Sequence, residues 1–203
     1  FPGTVALADG TLWAHYLVKS GEGTYAYDVI LRHSKDNGKT WSSAIKVNDD
    51  GTKTEHGFVS LWPWSASEVA VAWLDGRKTQ GASGHDHNQS MHDKNSDKVM
   101  TLRTAVFDAH GKKLNEWPLD QRTCDCCQTD AAVTDKGPIV IYRDRDSNEI
   151  RDIYTSRFIN HKWTVGLPIA KDNWLMPACP VNGPAISAFK NNVWAAWYTG
   201  ANN

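Results

Sequence analysis

Short runs in which apolar and polar residues alternate dominate the chain. The clearest lie at residues 69–73, 139–142 and 193–197, where valine, isoleucine, alanine and aromatic residues are concentrated. Glycine, aspartate and asparagine bound these runs, and the apolar spacing of an extended helix is absent. The pattern predicts an all-β protein.

The same order of elements recurs four times. In each unit a short strand and a polar turn precede a strand that ends on an aromatic residue. These closing residues are Tyr16, Trp73, Tyr142 and Trp197. Two further strands follow in the first three units, at residues 27–32 and 44–47, at 100–107 and near 116–117, and at 152–158 and after 162–163. Four antiparallel strands per unit are typical of β-propeller blades.

These repeats predict a single propeller region over residues 1–203. Its blades fall approximately at 1–50, 51–123, 124–178 and 179–203, and the last of them is incomplete. The region then holds about three and a half four-stranded antiparallel blades. A two-sheet sandwich, in which the repeat arises by chance, is the alternative.

A turn motif stands between the third and fourth strands of the first unit. It has the form S-x-D-x-G-x-T-W and consists of Ser34, Asp36, Gly38, Thr40 and Trp41. Aspartate and glycine favour a tight hairpin turn, in which the aspartate bonds nearby backbone groups and the tryptophan ring is buried under the turn. We therefore expect these five residues to be structural.

With this motif, the Asp box, and with the strand pair at residues 2–12, the sequence resembles the sialidase (neuraminidase) superfamily and its bacterial neuraminidase repeats. The resemblance is strongest over residues 1–47. It implies a partial six-bladed β-propeller, from a divergent member or a fragment, with the Asp box on the outer rim.

The resemblance also implies a chemistry, that of an exo-α-sialidase. Members of the superfamily hold a substrate carboxylate with three arginines, protonate the leaving oxygen with an aspartate and attack with a tyrosine. Glu22 lies in the loop that corresponds to the acid. Candidate carboxylate ligands are Arg77, Arg143, Arg145 and Arg151.

Alternatives to these catalytic roles stay open. A carboxylate in a loop is usually just solvated, which is the alternative for Glu22, and an internally paired salt-bridge loop is the alternative for the arginines of the third unit. The nucleophilic tyrosine would come from blades beyond those in this sequence. Hydrolysis by the chain is thus an open hypothesis.

Four cysteines and one histidine stand at equivalent places, just before the first strands of three units. They are His56, Cys124, Cys126, Cys127 and Cys179. First strands surround the axis of a propeller, so we expect these residues to line one axial pocket. Thiolates and imidazole would suit Zn or Cu(I). Alternatively Cys179 forms a disulfide with one member of the cluster, which would suit an exported protein, or the thiols are inert.

A polar insertion in the second unit contains His85, His87 and His92 and is a second possible metal site, with a surface insertion as the alternative. No certain cofactor follows from the sequence.

Charge and composition bear on the partners. Lys and Arg number 22 and Asp and Glu 23, so the balance offers no electrostatic basis for binding nucleic acid. The longest apolar run, at residues 69–74, is too short for a membrane span. Ten tryptophans suit a protein with a carbohydrate ligand. A carbohydrate site, active or binding only, is the first hypothesis, and a non-catalytic propeller with a metal-binding or disulfide-stabilised pocket is the second. Open blade edges predict self-association.

Overall fold

A computed structural model describes residues 2–81 and 98–201 of the chain. These residues form fifteen β-strands and a short 3₁₀ helix, Arg77–Thr79, and they contain no α-helix. The prediction of an all-β protein is confirmed. No helix among the described residues is both long and apolar enough to cross a membrane. The insertion with His85, His87 and His92 lies outside the described residues.

The strands form four antiparallel sheets. The first sheet contains β1 (Gly3–Ala6), β2 (Leu12–Lys19), β3 (Tyr27–Ser34) and β4 (Ile45–Lys46). The second contains β5 (His56–Pro63), β6 (Val69–Asp75), β7 (Thr101–Phe107) and β8 (Lys113–Asp120). The third contains β9 (Asp130–Thr134), β10 (Gly137–Arg143), β11 (Ile153–Ile159), β12 (Lys162–Trp163) and β13 (Leu167–Pro168). The fourth contains β14 (Ala185–Phe189) and β15 (Asn192–Ala196).

Each sheet is ordered as its strands follow in the chain, apart from β12 and β13, which both pair with β11. The first strands of the four sheets are neighbours: β1 contacts β5, β5 contacts β9, and β9 contacts β14. Strands that occur later in each sheet lie progressively farther from this row. This is the arrangement of propeller blades around an axis.

The core lies between neighbouring sheets, and β6 is its centre. All seven residues of β6 are buried. Val69, Val71 and Trp73 pack in one apolar cluster with residues of the first sheet. Ala70, Ala72 and Leu74 pack in a second cluster with Val140 and Tyr142 of the third sheet. Because side chains alternate between the faces of a strand, β6 connects the sheets on both sides of it.

The turn between β3 and β4 is closed by side chains of the S-x-D-x-G-x-T-W motif. The Asp36 carboxylate accepts hydrogen bonds from the Thr40 backbone N–H (2.8 Å) and hydroxyl (2.5 Å) and from the Ser34 hydroxyl (2.8 Å). Hydrogen bonds from Thr40 lower the pKa of Asp36 to about 2. Gly38 has a φ of +82°, and the Trp41 indole N–H bonds its carbonyl.

The Trp41 ring is 39% exposed, so the expectation that this ring is buried under the turn is wrong. Its neighbours in the turn, residues 39–40 and 43–44, are themselves exposed and do not cover it. Hydrogen bonds, more than burial, hold this turn.

Two valines of neighbouring strands provide a test of where the core lies. Val29 in β3 is fully buried between the first and second sheets, whereas Val18 in β2 is 44% exposed. We expect Val29→Ala to lower the free energy of unfolding by about 2–3 kcal/mol, because it removes buried methyl groups and leaves a cavity. Val18→Ala should change it by no more than about 0.5 kcal/mol. Urea unfolding measures both, and equal losses would contradict the packing described here.

Candidate functional site

An open cavity of about 380 Å³ lies where the first strands of the four sheets converge. Its wall comes from the beginnings of β1, β9 and β14, from the middle of β5 and from one residue of β2. The polar side chains in this wall are Thr4, His15, Ser60, Gln128, Thr129 and Asp130. Neutral hydrogen-bonding groups therefore predominate in the axial cavity.

His15 projects from β2 across Gly3, its partner in the register of β1 and β2. It is only 4% exposed, and its Nδ1 atom is buried without a hydrogen-bond partner. A β-carbon at position 3 would collide with Nε2, so glycine is what allows the imidazole to occupy this place. Burial lowers the pKa of His15 to about 4, so the ring is neutral at pH 7.

The remaining polar groups are fixed by contacts between neighbouring sheets. The hydroxyls of Ser60 and Thr129 lie 2.7 Å apart. The Gln128 amide donates to the Val59 carbonyl at 3.1 Å. The Asp130 carboxylate accepts the backbone N–H of Ile186 at 2.8 Å. These contacts connect the first strands of the second, third and fourth sheets and hold the wall in one arrangement.

The arginine of the second sheet makes internal ion pairs. Arg77 donates to both oxygens of Asp75, at 2.7 and 2.8 Å, and its Nη2 lies 3.3 Å from Glu116 and 3.7 Å from Asp50. Its guanidinium is satisfied by three carboxylates of the protein. These contacts do not support a role in holding a substrate carboxylate.

The most buried arginine is Arg143, which is 1% exposed. It donates to the backbone carbonyls of Asn182 (2.8 Å), Arg151 (2.6 Å) and Tyr198 (2.8 Å), and it packs over the ring of Trp174. Every nitrogen of its guanidinium is used within the fold. Arg143 therefore ties the third sheet to the segments on either side of the fourth.

The other two candidate arginines are paired within one loop. Arg145 binds Glu149 and Asp125, and Arg151 binds Glu149 at 2.9 Å. The sequence left open whether these arginines bind a substrate carboxylate or form ion pairs within their own loop. The contacts match the internally paired loop. Glu22 is exposed in the turn between β2 and β3 and does not belong to the cavity wall. None of the five candidate catalytic residues lies in that wall.

The structure separates His56 from the cysteines. His56 donates through Nδ1 to the Tyr27 carbonyl and contacts the Asp50 carboxylate through Nε2, each at 3.0 Å. The expectation of one pocket lined by His56 and four cysteines is therefore wrong. The physical reason is that the middle of β5, from Val59 to Leu61, lines the cavity, whereas His56 is the first residue of β5 and pairs with Asp75 at the end of β6.

The cysteines form two pairs in the segments that precede β9 and β14. Cys126 and Cys179 are joined as a disulfide, and Cys124 and Cys127 are free and buried, with their sulfurs 2.9 Å apart. The hydrogen bond with Cys127 and the charge of Arg151 lower the pKa of Cys124 to about 6. The pKa of Cys127 is raised by the same contact and by burial.

The sulfur positions do not fit a tetrahedral metal site. Two thiolates on one Zn²⁺, each about 2.3 Å from it, would lie about 3.8 Å apart. The separation of Cys124 and Cys127 is much shorter, and the Cys126 sulfur is bonded to Cys179. The group of Asp50, His56 and Asp75 is also unsuited to a cation, because the guanidinium of Arg77 already contacts both carboxylates.

A carboxyl cluster that the sequence analysis missed lies between the second and third sheets. The Tyr142 hydroxyl donates to Asp120 at 2.5 Å, and Asp144 is buried nearby. Burial, together with the charge of Asp120, raises the pKa of Asp144 to about 7. The repeat itself contained a signal for this position. Asp75 is the last residue of β6 in the second unit, and Asp144 directly follows the corresponding strand, β10, in the third.

No protein-family model matches the chain, and no curated protein matches it in sequence. Solved structures do match. They include an ulvan lyase of polysaccharide lyase family PL25, bound to -[GlcA(1-4)Rha3S]- (TM-score 0.53, 12% identity, 99% of this chain and 52% of that one).

Two further matches are the α-L-arabinanase of Penicillium chrysogenum complexed with arabinobiose and the NanB sialidase of Streptococcus pneumoniae. For the arabinanase the TM-score is 0.55 and the identity 12%, over 96% of this chain and 57% of that one. For the sialidase the TM-score is 0.52 and the identity 14%, over 97% of this chain and 27% of that one. The chain thus spans about half the length of the lyase and the arabinanase. At these identities the matches establish the fold, a β-propeller.

Asp144 gives a test of the buried carboxyl cluster. Its pKa is raised from 3.8 to about 7 on folding, so its stabilising contribution is complete below pH 4 and is lost as the pH rises through 7. Asp144→Asn should therefore gain stability relative to the wild type between pH 4 and 8, by up to about 4 kcal/mol at about 1.4 kcal/mol per pKa unit.

The control is Asp108→Asn. Backbone hydrogen bonds from Lys112 and His110 lower the pKa of Asp108, so its stabilising contribution is present above pH 4 and lost in acid. The stability of this variant relative to the wild type should fall as the pH rises through 4. Urea unfolding at a series of pH values measures both, and a flat difference for Asp144→Asn would refute the cluster.

Proposed function

We propose that the axial cavity binds the hydroxyl groups of a carbohydrate, and that the chain belongs to a carbohydrate-active propeller. The observation that carries this proposal is the cavity wall itself. It combines the neutral imidazole of His15 with the hydroxyls of Ser60 and Thr129 and the amide of Gln128. Its volume of about 380 Å³ falls in the usual range of about 300–1,000 Å³ for small-molecule sites.

Neutral donors and acceptors suit sugars because each hydroxyl both donates and accepts a hydrogen bond. The groups in this wall are positioned before any ligand arrives, which reduces the entropic cost of binding. The matching lyase and arabinanase structures contain saccharides, and this supports a carbohydrate as the ligand class.

Hydrolysis of a sialoside has weaker support. The exo-α-sialidase chemistry implied by the resemblance needs arginines that are free to grip a carboxylate. Arg77, Arg143, Arg145 and Arg151 instead bind carboxylates and carbonyls of the protein. We therefore favour recognition of sugar hydroxyls over recognition of an acidic sugar by these arginines.

The second hypothesis, a disulfide-stabilised non-catalytic propeller, has one observation in its favour. The Cys126–Cys179 disulfide joins the segment before β9 to the segment before β14, and both segments continue into the cavity wall. This bond is compatible with carbohydrate binding with or without turnover. Binding and turnover must therefore be measured separately.

Gln128→Ala tests the proposed site. The probes are arabinobiose, β-1,2-mannobiose, sialyllactose and ulvan oligosaccharides, and saturation-transfer NMR measures their binding. At least one probe should bind the wild type, and Gln128→Ala should weaken it about 10-fold, as expected for one lost hydrogen bond. A fluorogenic sialoside measures turnover independently.

Gln121→Ala is the matched control, because Gln121 is exposed and accepts a hydrogen bond from Lys78 away from the cavity. It should bind like the wild type. Thermal unfolding of both variants separates a loss of binding from a loss of fold. If no probe binds the wild type, or if both variants bind equally, the proposal fails.

A further inference from the structure

The two cysteine pairs are close enough to react with each other. The Cys124 sulfur lies 2.9 Å from that of Cys127 and 3.9 Å from that of Cys126. Cys126 is itself one half of the disulfide with Cys179. A free thiol, its neighbouring thiol and a disulfide are therefore in contact at one place in the fold.

The surroundings of this group favour a thiolate at Cys124. The Arg151 guanidinium donates to the Cys124 sulfur at 3.1 Å, and both residues are buried. Arg143, fully buried beside them, donates to three uncharged carbonyl groups. Buried positive charge next to a thiol stabilises its anionic form, which is the nucleophile in thiol–disulfide exchange.

We propose that Cys124 attacks the Cys126–Cys179 disulfide, and that the two cysteine pairs thereby exchange their bond. The Cys124 thiolate forms a bond with the Cys126 sulfur, and Cys179 leaves as a thiolate. Cys127 then loses its proton to Cys179 and attacks Cys124, which releases Cys126. One disulfide and two thiols are present before and after, so the exchange needs no external oxidant or reductant.

The two bond isomers place the disulfide differently. In the structure the bond is at Cys126 and Cys179, which are half-buried, and the thiols are at Cys124 and Cys127, which are buried. After exchange the bond would lie in the interior within a four-residue stretch, and the thiols would lie nearer to solvent. The exchange thus moves the two free thiols from the buried pair to Cys126 and Cys179, where thiol reagents in solvent reach them more easily.

The exchange also bears on the axial cavity. The Cys126–Cys179 bond connects two segments of which one contributes Gln128 and the other Ala185 to the cavity wall. These segments also touch at Gly183, where a β-carbon would collide with the Gln128 carbonyl. Loss of the bond removes the covalent connection across this side of the cavity. The inference concerns the cysteines themselves and does not rest on a carbohydrate ligand.

Peptide mapping distinguishes the isomers. Trypsin places Cys124, Cys126 and Cys127 in peptide 123–136 and Cys179 in peptide 172–190. The whole chain is incubated without added thiol at pH 7.5, denatured in N-ethylmaleimide and digested. In the bond arrangement of the structure, the two peptides are linked and both labels are on 123–136. Exchange should unlink them and shift one label to Cys179 in 172–190.

Two variants test the order of the steps. Cys124→Ser removes the attacking sulfur, so the peptides should stay linked and peptide 172–190 should carry no label. Cys127→Ser stops the reaction after its first step, so an internal Cys124–Cys126 bond should appear in 123–136 together with labelled Cys179. The second variant keeps the proposal testable if the first fails to fold.

Three results would overturn the proposal: only linked peptides in the wild type after prolonged incubation, four labelled cysteines, or no label at all. The last two would mean that the cysteines are all reduced or form two disulfides. Unlinked peptides from the Cys124→Ser variant would also refute it, since the attacking sulfur would then lie elsewhere.

Discussion

The packing of β6 between two sheets is the contact on which the rest of the structure depends. Its alternate residues enter two separate apolar clusters, one shared with the first sheet and one with the third. A strand that is buried on both faces fixes its neighbours on each side at once. This packing holds the second sheet against the first and the third. The first strands of these sheets, β1, β5 and β9, are thereby kept side by side around the axial cavity.

Polar groups around this row are satisfied mainly by other groups of the protein. Arg143 binds three backbone carbonyls, Arg77 contacts three carboxylates, and Tyr142 binds Asp120. Buried charges are stable only with such partners, which is why arginines suggestive of a substrate site serve the fold instead. The polar side chains in the wall of the axial cavity are instead hydroxyls, an amide, an imidazole and one carboxylate. This composition makes the axial cavity the better candidate site.

The repeat determined the fold class and the strands, because the two-residue period of a strand and the polar turns are local properties of the sequence. It also located the two segments, before β9 and before β14, that continue into the cavity wall. It could not locate the cavity wall, because the wall includes the middle of β5, around Ser60, whereas His56 at the start of that strand binds Tyr27 and Asp50. Which part of a strand faces a cavity depends on the neighbouring sheets and leaves little signal in the sequence of the strand itself.

The sequence by itself determined an all-β chain of repeated antiparallel units, and it drew attention to its cysteines. Only the tertiary structure decided which charged residues form ion pairs within the protein and which polar residues face the cavity. It also decided the division of the cysteines into a disulfide and a pair of thiols. The physical reason is the same throughout: periodicity is set by neighbours along the chain, whereas an ion pair or a sulfur contact is set by residues that meet across different strands.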